Sequence, residues 1–403
     1  MSTAAAELTM SAQAPAGLGR RQVHAVAACY FVASFAALGL PPFLTAILPG
    51  LGDADGSWAG VLYIVPTVFS GLGAPFWGRL ADRFGRKRLL LRAQLGLTVS
   101  FLLAGWADSL PAFTVALVLQ GFLGGTFAAT NGYLAAALEG SQLSKALTLM
   151  QGAARASLVA APILVGALSP WISPHRQYLV MAILPLTAAA LLSLLPEPAC
   201  PKPAGRTADG GTAEQPTGSL KLLYTLEFGF VFSTIISFPY LVSLVEGRLP
   251  GVNGTVTGLL FALPHLCYLA AAGRVHTRFA DRPRTGIALG LGFVALGLAA
   301  HWPAHSLLTF VLARLLLGVG LTLGLVCLSV LAAEAARGRA PGRMFGSLEF
   351  VSKGGAVAAG VVAALVNGAF GATAPVLTGT VAALAAALLA LLSRRSHSDV
   401  LSR

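Results

Sequence analysis

The stretch Gly78-Arg79-Leu80-Ala81-Asp82-Arg83-Phe84-Gly85-Arg86-Lys87-Arg88 sets five basic residues and one carboxylate between two long apolar runs. Gly78 and Gly85 are expected to make a tight reversal, because glycine takes positive φ without penalty. Asp82 falls near the end of the first apolar run. Its charge there calls for a partner, either Arg86 or a neighbouring helix N-terminus. A looser copy follows about 195 positions later, with Gly273-Arg274 and Arg278-Phe279, and with Thr277 where the first copy has Asp82.

Outward from this stretch the chain is overwhelmingly apolar. Of its 403 residues 56% are hydrophobic and 10% charged, against about 25% charged in soluble domains, so the chain is integral to a membrane. A membrane helix needs about 20 apolar residues. Twelve such spans are expected, at 23–48, 57–77, 89–107, 112–138, 147–168, 177–195, 222–246, 253–273, 285–302, 306–333, 344–367 and 374–393. The net charge of +12 would suggest a nucleic-acid partner in a soluble protein. Here the basic residues sit in short connections, and topology accounts for them without nucleic acid. Segments on one side, with Arg92 at the start of span three counted among them, hold 22 of the 27 lysines and arginines, while the other side holds Arg176 and Arg248. The basic side is therefore expected to be cytoplasmic, with both termini there. Residues 1–19 have no basic cluster ahead of an apolar core, so they are not a secretory signal. Cys29, Cys200, Cys267 and Cys327 have no ligand-like spacing, and no metal or cofactor site is expected.

The two halves repeat at offsets of 195 to 198. Gly121 corresponds to Gly318, Glu139 to Glu334, and Gln151 with Arg155 to Glu349 with Lys353. The expected organisation is a tail at 1–22, a six-helix bundle at 23–195, a linker at 196–220, a second bundle at 221–393 and a tail at 394–403. The linker is rich in Pro, Gly, Ala and Thr, too poor in large apolar side chains to form a core.

Residues 78–88, the twelve spans, the linker and the repeat together resemble the major facilitator superfamily, whose signature loop joins its second and third membrane helices. The resemblance implies an all-α membrane fold of two pseudo-symmetric six-helix bundles, with a substrate site between them near mid-membrane. It also implies a monomer that moves by alternating access. Leu38-Gly39 through Pro49 is similar to a pattern of drug:proton antiporters, while span five keeps only Pro162 and Gly166 of the exporters' Gly-Pro motif. Proton-coupled members carry an arginine four residues before a span-four glycine. Here Leu117 precedes Gly121, whereas span ten keeps the pattern as Arg314 and Gly318. Phe35-Ala-Ala-Leu-Gly-Leu-Pro-Pro-Phe43 resembles the branch that exports siderophores such as alcaligin and vibrioferrin.

Ionisable residues inside spans are costly, about 2.5–3.5 kcal/mol each on insertion scales, and so face partners or wet cavities. Arg155, Glu227, Arg314, Glu349 and Lys353 are of this kind. Arg155, with Asn131, Gln151, Glu349 and Lys353, is a candidate for substrate binding. Arg155 has no acid in its own span and is expected to look across the bundle, or to carbonyls or Asn131. Glu227, Glu349 and Arg314 are candidates for proton coupling, although Arg314 equally suits a tether to backbone carbonyls. Gly78, Asp82, Arg83, Gly85 and Arg86 form the expected gate, and Glu139 and Glu334 are expected to pair with loop arginines. Phe228, Phe232 and Tyr240 fall near one face of span seven and suit a planar substrate. His265 is expected to be a satisfied interior histidine.

No Gly-x4-Gly-Lys-Ser/Thr phosphate loop occurs, so an ion gradient is expected to supply the energy. The expected function is proton-driven export of a small organic molecule across a bacterial inner membrane, a siderophore first, with no catalytic residues. The alternatives are a multidrug efflux antiporter and a proton symporter for an organic anion.

Overall fold

A computed structural model describes residues 18–54, 58–197, 217–238, 240–252 and 254–401. The tail before residue 18 and most of the expected linker lie outside them. The described residues are helical and contain no strand.

Span one is Arg20–Gly39 and ends early because Pro41 and Pro42 supply no N–H. Short helical turns carry the chain to Leu51. Span two, Ala59–Phe84, continues through Pro66 and Pro75, and span three is Arg86–Trp106. Span four breaks into Leu110–Gly124 and Thr126–Ala137 at Gly125, which sits at φ 48°. Span five is Gly140–Leu168, and span six runs as Pro174–Met181 and Ile183–Ser193. Span seven comprises Thr217–Ile235 and Leu241–Arg248. Spans eight to twelve are Gly254–Phe279, Pro283–Ala300, Leu307–Ala336, Pro341–Phe370 and Ala374–Leu401.

Eleven of the twelve expected spans are long and apolar enough to cross a membrane among the described residues. Span seven falls short because its longer piece carries Lys221 and Glu227 and stops at a bend near 236–240. The stretch 78–88 is also different from expectation. Span two stays helical to Phe84, only Gly85 leaves the helix, with φ 102°, and span three starts one residue later. Gly78 is thus inside a helix, and its small size serves packing rather than a turn.

Helix pairing repeats under a six-helix shift. Spans two and four pack together as eight and ten do, three and four as nine and ten, and one and five as seven and eleven. The halves meet through two matching sets of contacts, spans two and four on eleven, and spans eight and ten on five. The share of residues buried is 83% in the best window of span ten but 28%, 28%, 28% and 17% in spans two, five, eight and eleven. Span ten therefore forms the centre of its half. The four sparsely buried spans all take part in the cross-half contacts, together with spans four and ten.

Candidate functional site: a central pocket and its closure

The closure begins at Asp82, in the last turn of span two. Its Oδ1 accepts the Gly342 N–H at 3.0 Å and its Oδ2 the Arg343 N–H at 2.8 Å. These amides belong to the first turn of span eleven, after Pro341, where no helical carbonyl is available to them. Arg86 Nη2 also donates to Asp82 Oδ1, at 3.1 Å. Both partners expected from the sequence are used at once, and the carboxylate complements the positive end of the helix dipole.

Glycine makes this approach possible. A Cβ on Gly78 would run into the Gly342 carbonyl oxygen, and one on Gly346 would lie 2.6 Å from Ala74 O. Higher along the same seam, a Cβ on Gly71 would lie 2.9 Å from Lys353 Cβ. Gly85 turns the chain beside Glu197, which accepts the Lys87 N–H at 3.2 Å, while Lys87 Nζ donates to Ser193 O at 2.7 Å and also to Leu195 O. Arg83 is exposed, 5.2 Å from the centre of the Phe84 ring, and takes no part in the Asp82 cluster.

The second cross-half seam joins the corresponding pair of helices with different chemistry. His276 Nε2 and Ser144 Oγ share a 2.9 Å hydrogen bond, and Tyr268 Oη donates to Thr148 O at 2.9 Å. Ser144 stands at the position equivalent to Gly342, 198 residues away, while His276 lies three residues past Gly273, the counterpart of Gly78 in the looser copy. Among the described residues Thr277 bonds its own helix, at Arg274 O, and a threonine at this position offers no carboxylate for a second latch. Glu139 and Glu334 are both exposed at helix ends rather than enclosed in the closure.

Above the closure lies a cavity of about 70 Å³. Tyr30, Phe127, Asn131 and Gln151 line it from the first half, and Glu227, Ser329, Phe345, Glu349 and Ser352 from the second. Its residues stand roughly one to three turns from the basic ends of their helices, nearer that end than the expected mid-membrane position. The volume is well below the roughly 300–1,000 Å³ of a drug-sized site. The halves must separate for such a molecule to enter.

The cations expected around a substrate have other engagements. Lys353 Nζ is 3.5 Å from Glu349 Oε1 and 5.1 Å from the centre of the Phe127 ring. Arg155 Nη2 donates to Gln151 Oε1 at 3.2 Å. Besides this local acceptor one turn back, the guanidinium interacts electrostatically with Tyr30, Tyr268 and Glu227 of spans one, eight and seven, so it also faces across the bundle. Gln151, and neither Arg155 nor Lys353, is among the residues lining the cavity. Arg314 is fully buried and donates to Leu260 O and Phe261 O at 2.8 and 3.1 Å, so the geometry is that of a tether.

Other aromatic and polar residues also differ from expectation. Phe228 and Phe232 stack on each other, 6.3 Å apart, outside the cavity lining. Tyr240 follows the bend, where an angle counted along one helix loses meaning. Tyr30, Phe127 and Phe345 supply the cavity's rings instead. His265 is buried against Phe238 and Phe261, and neither ring nitrogen has a hydrogen-bond partner among the described residues. Arg92, counted with the basic connections in the sequence, lies one turn inside span three. Its guanidinium covers the Trp77 ring at 3.5 Å and donates to Leu123 O at 2.8 Å, while Trp77 Nε1 donates to Phe122 O at 2.7 Å. Together they satisfy carbonyls that the break at Gly125 leaves without helical donors.

Paired six-helix bundles with a polar cavity at their junction define a membrane transporter scaffold. The Major Facilitator Superfamily model matches residues 26–247, and the chain belongs to that family of transporters rather than to any enzyme class. It is 32% identical over 179 residues to the multidrug resistance protein MdtG of Dickeya zeae strain Ech586, 43% of each chain. It is 29% identical over 255 residues to MdtG of Klebsiella pneumoniae strain 342, covering 60% of this chain and 61% of that one. The matches thus span less than two thirds of these relatives. The human organic anion transporter MFSD10 (TETRAN) shares the fold, with a TM-score of 0.78 at 20% identity, over 92% of this chain and 99% of that one.

Proposed function

We propose that this protein is a proton-coupled exporter of small organic molecules of the multidrug type, in a bacterial inner membrane with its basic end in the cytoplasm. The observation that carries the reading is the cavity between the halves, where Glu227 and Glu349 face Asn131 and Gln151. Among the described residues Asn131 Oδ1 has no hydrogen-bond partner. Two carboxylates and a free amide oxygen, with Tyr30 and Phe127 as ring faces, suit a molecule with an apolar body and a protonated amine. Arg155, Lys353 and Arg314 are engaged by Gln151, Glu349 and the span-eight carbonyls, and Arg92 by Leu123 O, which leaves an anionic cargo poorly met and weakens the symport alternative. The siderophore reading rested on apolar residues 35–43 and gains no support from the relatives, whose names favour multidrug efflux.

In this mechanism Glu227 carries the coupled proton. Unlike Glu349, it has no lysine one turn away to hold it ionised. With the basic end closed by Asp82, the site opens outward. A proton arriving there neutralises Glu227 and expels the cationic substrate. After the halves rock, the proton leaves to the cytoplasm and the restored carboxylate binds the next molecule.

The test is transport of ethidium in inverted vesicles. Acidifying the vesicle interior drives accumulation by the native chain, whereas Glu227→Gln loses proton-driven accumulation but keeps dye equilibration down its own gradient. Native chain that moves no dye under a proton gradient refutes the export reading, and coupling that survives Glu227→Gln refutes the assignment of the carboxylate.

A further inference from the structure

We propose that Arg314 is a positioning residue that fixes the kink of span eight at Pro264, leaving the matching kink of span two at Pro66 free to bend. The inference rests on relative movement of the two halves and is independent of the substrate.

In an α-helix the N–H of residue 264 would donate to the carbonyl of residue 260, but proline has no N–H. That vacant acceptor is Leu260 O, and Arg314 Nε reaches it at 2.8 Å. Its Nη2 reaches the next carbonyl, Phe261 O, at 3.1 Å. One turn later Gly318 lets the kinked helix in, since a Cβ there would lie 3.0 Å from Pro264 Cα and 2.7 Å from Cys267 Sγ. Arginine and glycine four apart therefore form one device. The glycine admits the proline kink and the arginine satisfies the carbonyl that the proline abandons.

The first half keeps the kink and the glycine without the arginine. Pro66 abandons Leu62 O in the same way, and a Cβ on Gly121 would lie 2.9 Å from Pro66 Cα. One turn before Gly121 stands Leu117, buried in the same apolar cluster as Leu62 and Val65. A leucine has no donor to offer Leu62 O. Proline kinks are where helices bend, so the two kinks differ mechanically.

The pinned kink steers the part of span eight that carries Tyr268 and His276 onto span five, as a rigid piece. The unpinned kink lies between the far end of span two and the segment bearing Gly71, Gly78 and Asp82. Pro75, nearer the latch, is packed against Gly346 of span eleven, so opening and closing at the Asp82 latch are accommodated by bending of span two at Pro66.

Two measurements test this. Thermal unfolding of the full chain in detergent is measured for Arg314→Leu, Pro264→Ala and the double variant. Pro264→Ala restores the N–H for Leu260 O, so the drop in Tm caused by Arg314→Leu is expected to shrink by at least half in that background. Additive losses overturn the tether. In liposomes, exchange between closed and open forms is then followed by spin labels on Arg79→Cys and Arg278→Cys, both exposed positions on opposite halves. Pro66→Ala, which stiffens span two, is expected to slow exchange about tenfold or more. Ethidium turnover falls with it while KM stays within about twofold of native. Pro264→Ala leaves both rates within about threefold. Equal effects of the two proline substitutions, or a larger one at Pro264, overturn the inference, and the label measurement decides even if ethidium is not a substrate.

Discussion

Replacing Asp82 by asparagine tests the latch most directly. Asparagine keeps one oxygen, so one of the two amide bonds from Gly342 and Arg343 persists as a neutral bond. With that oxygen at the Oδ1 position Gly342 and Arg86 keep an acceptor that no longer carries charge, and the Arg343 amide loses its own. A hydrogen bond to a charged group contributes about 1.5–3 kcal/mol, and a carboxylate at a helix N-terminus about 0.3–1 kcal/mol. The Asp82 side chain is 19% exposed, so water screens part of this. The lower end of the sum, about 2 kcal/mol, corresponds to roughly a 30-fold shift of the closed-to-open ratio at the basic end. Spin labels at positions 79 and 278 read that ratio in liposomes as a growing long-distance population. Transport slows because the closed form is under-populated, and ethidium KM stays nearly native because Asp82 is outside the cavity lining. An unchanged distance distribution, or a tenfold rise in KM without one, would refute the latch.

Three further outcomes follow from the same contacts. Gly78→Val drives a side chain into the Gly342 carbonyl and should open the basic end further than Asp82→Asn does, by the same label measurement. His276→Ala removes one neutral bond to Ser144, about 1 kcal/mol, so its shift should be only about fivefold. Gly125→Ala forces a Cβ onto a residue at φ 48°, and unfolding in detergent should show a loss of about 1–2 kcal/mol, with ethidium KM unchanged.

The relation between sequence and structure differs from residue to residue. Asp82 was legible because a carboxylate at a helix end among arginines has few ways to be satisfied, and both of its expected partners are present. Glu349 and Lys353 were legible because residues four apart share a helix face. For Arg155 the search for a charge partner left out the neutral amide of Gln151, one turn back on its own helix. Tyr30, Phe127, Ser329 and Ser352 were not singled out. One ring or hydroxyl in a membrane helix carries no local signal, and only the meeting of spans one, four, ten and eleven makes them a cavity. Arg92 was counted with the connections because its span boundary is blurred by the preceding basic run.

From the sequence alone came the membrane class, the spans, the duplication and the basic end, since burying apolar surface in lipid and excluding charge from it are properties of composition and order along the chain. The role of the 78–88 stretch came from the tertiary structure. Gly78 resembles a turn glycine in one dimension and is a packing glycine in three, because what it must avoid is a carbonyl 264 residues away in the other half. The same holds for Arg314 and Leu117: their meaning lies in a proline on a neighbouring helix, and no distance along the chain encodes which helix that is.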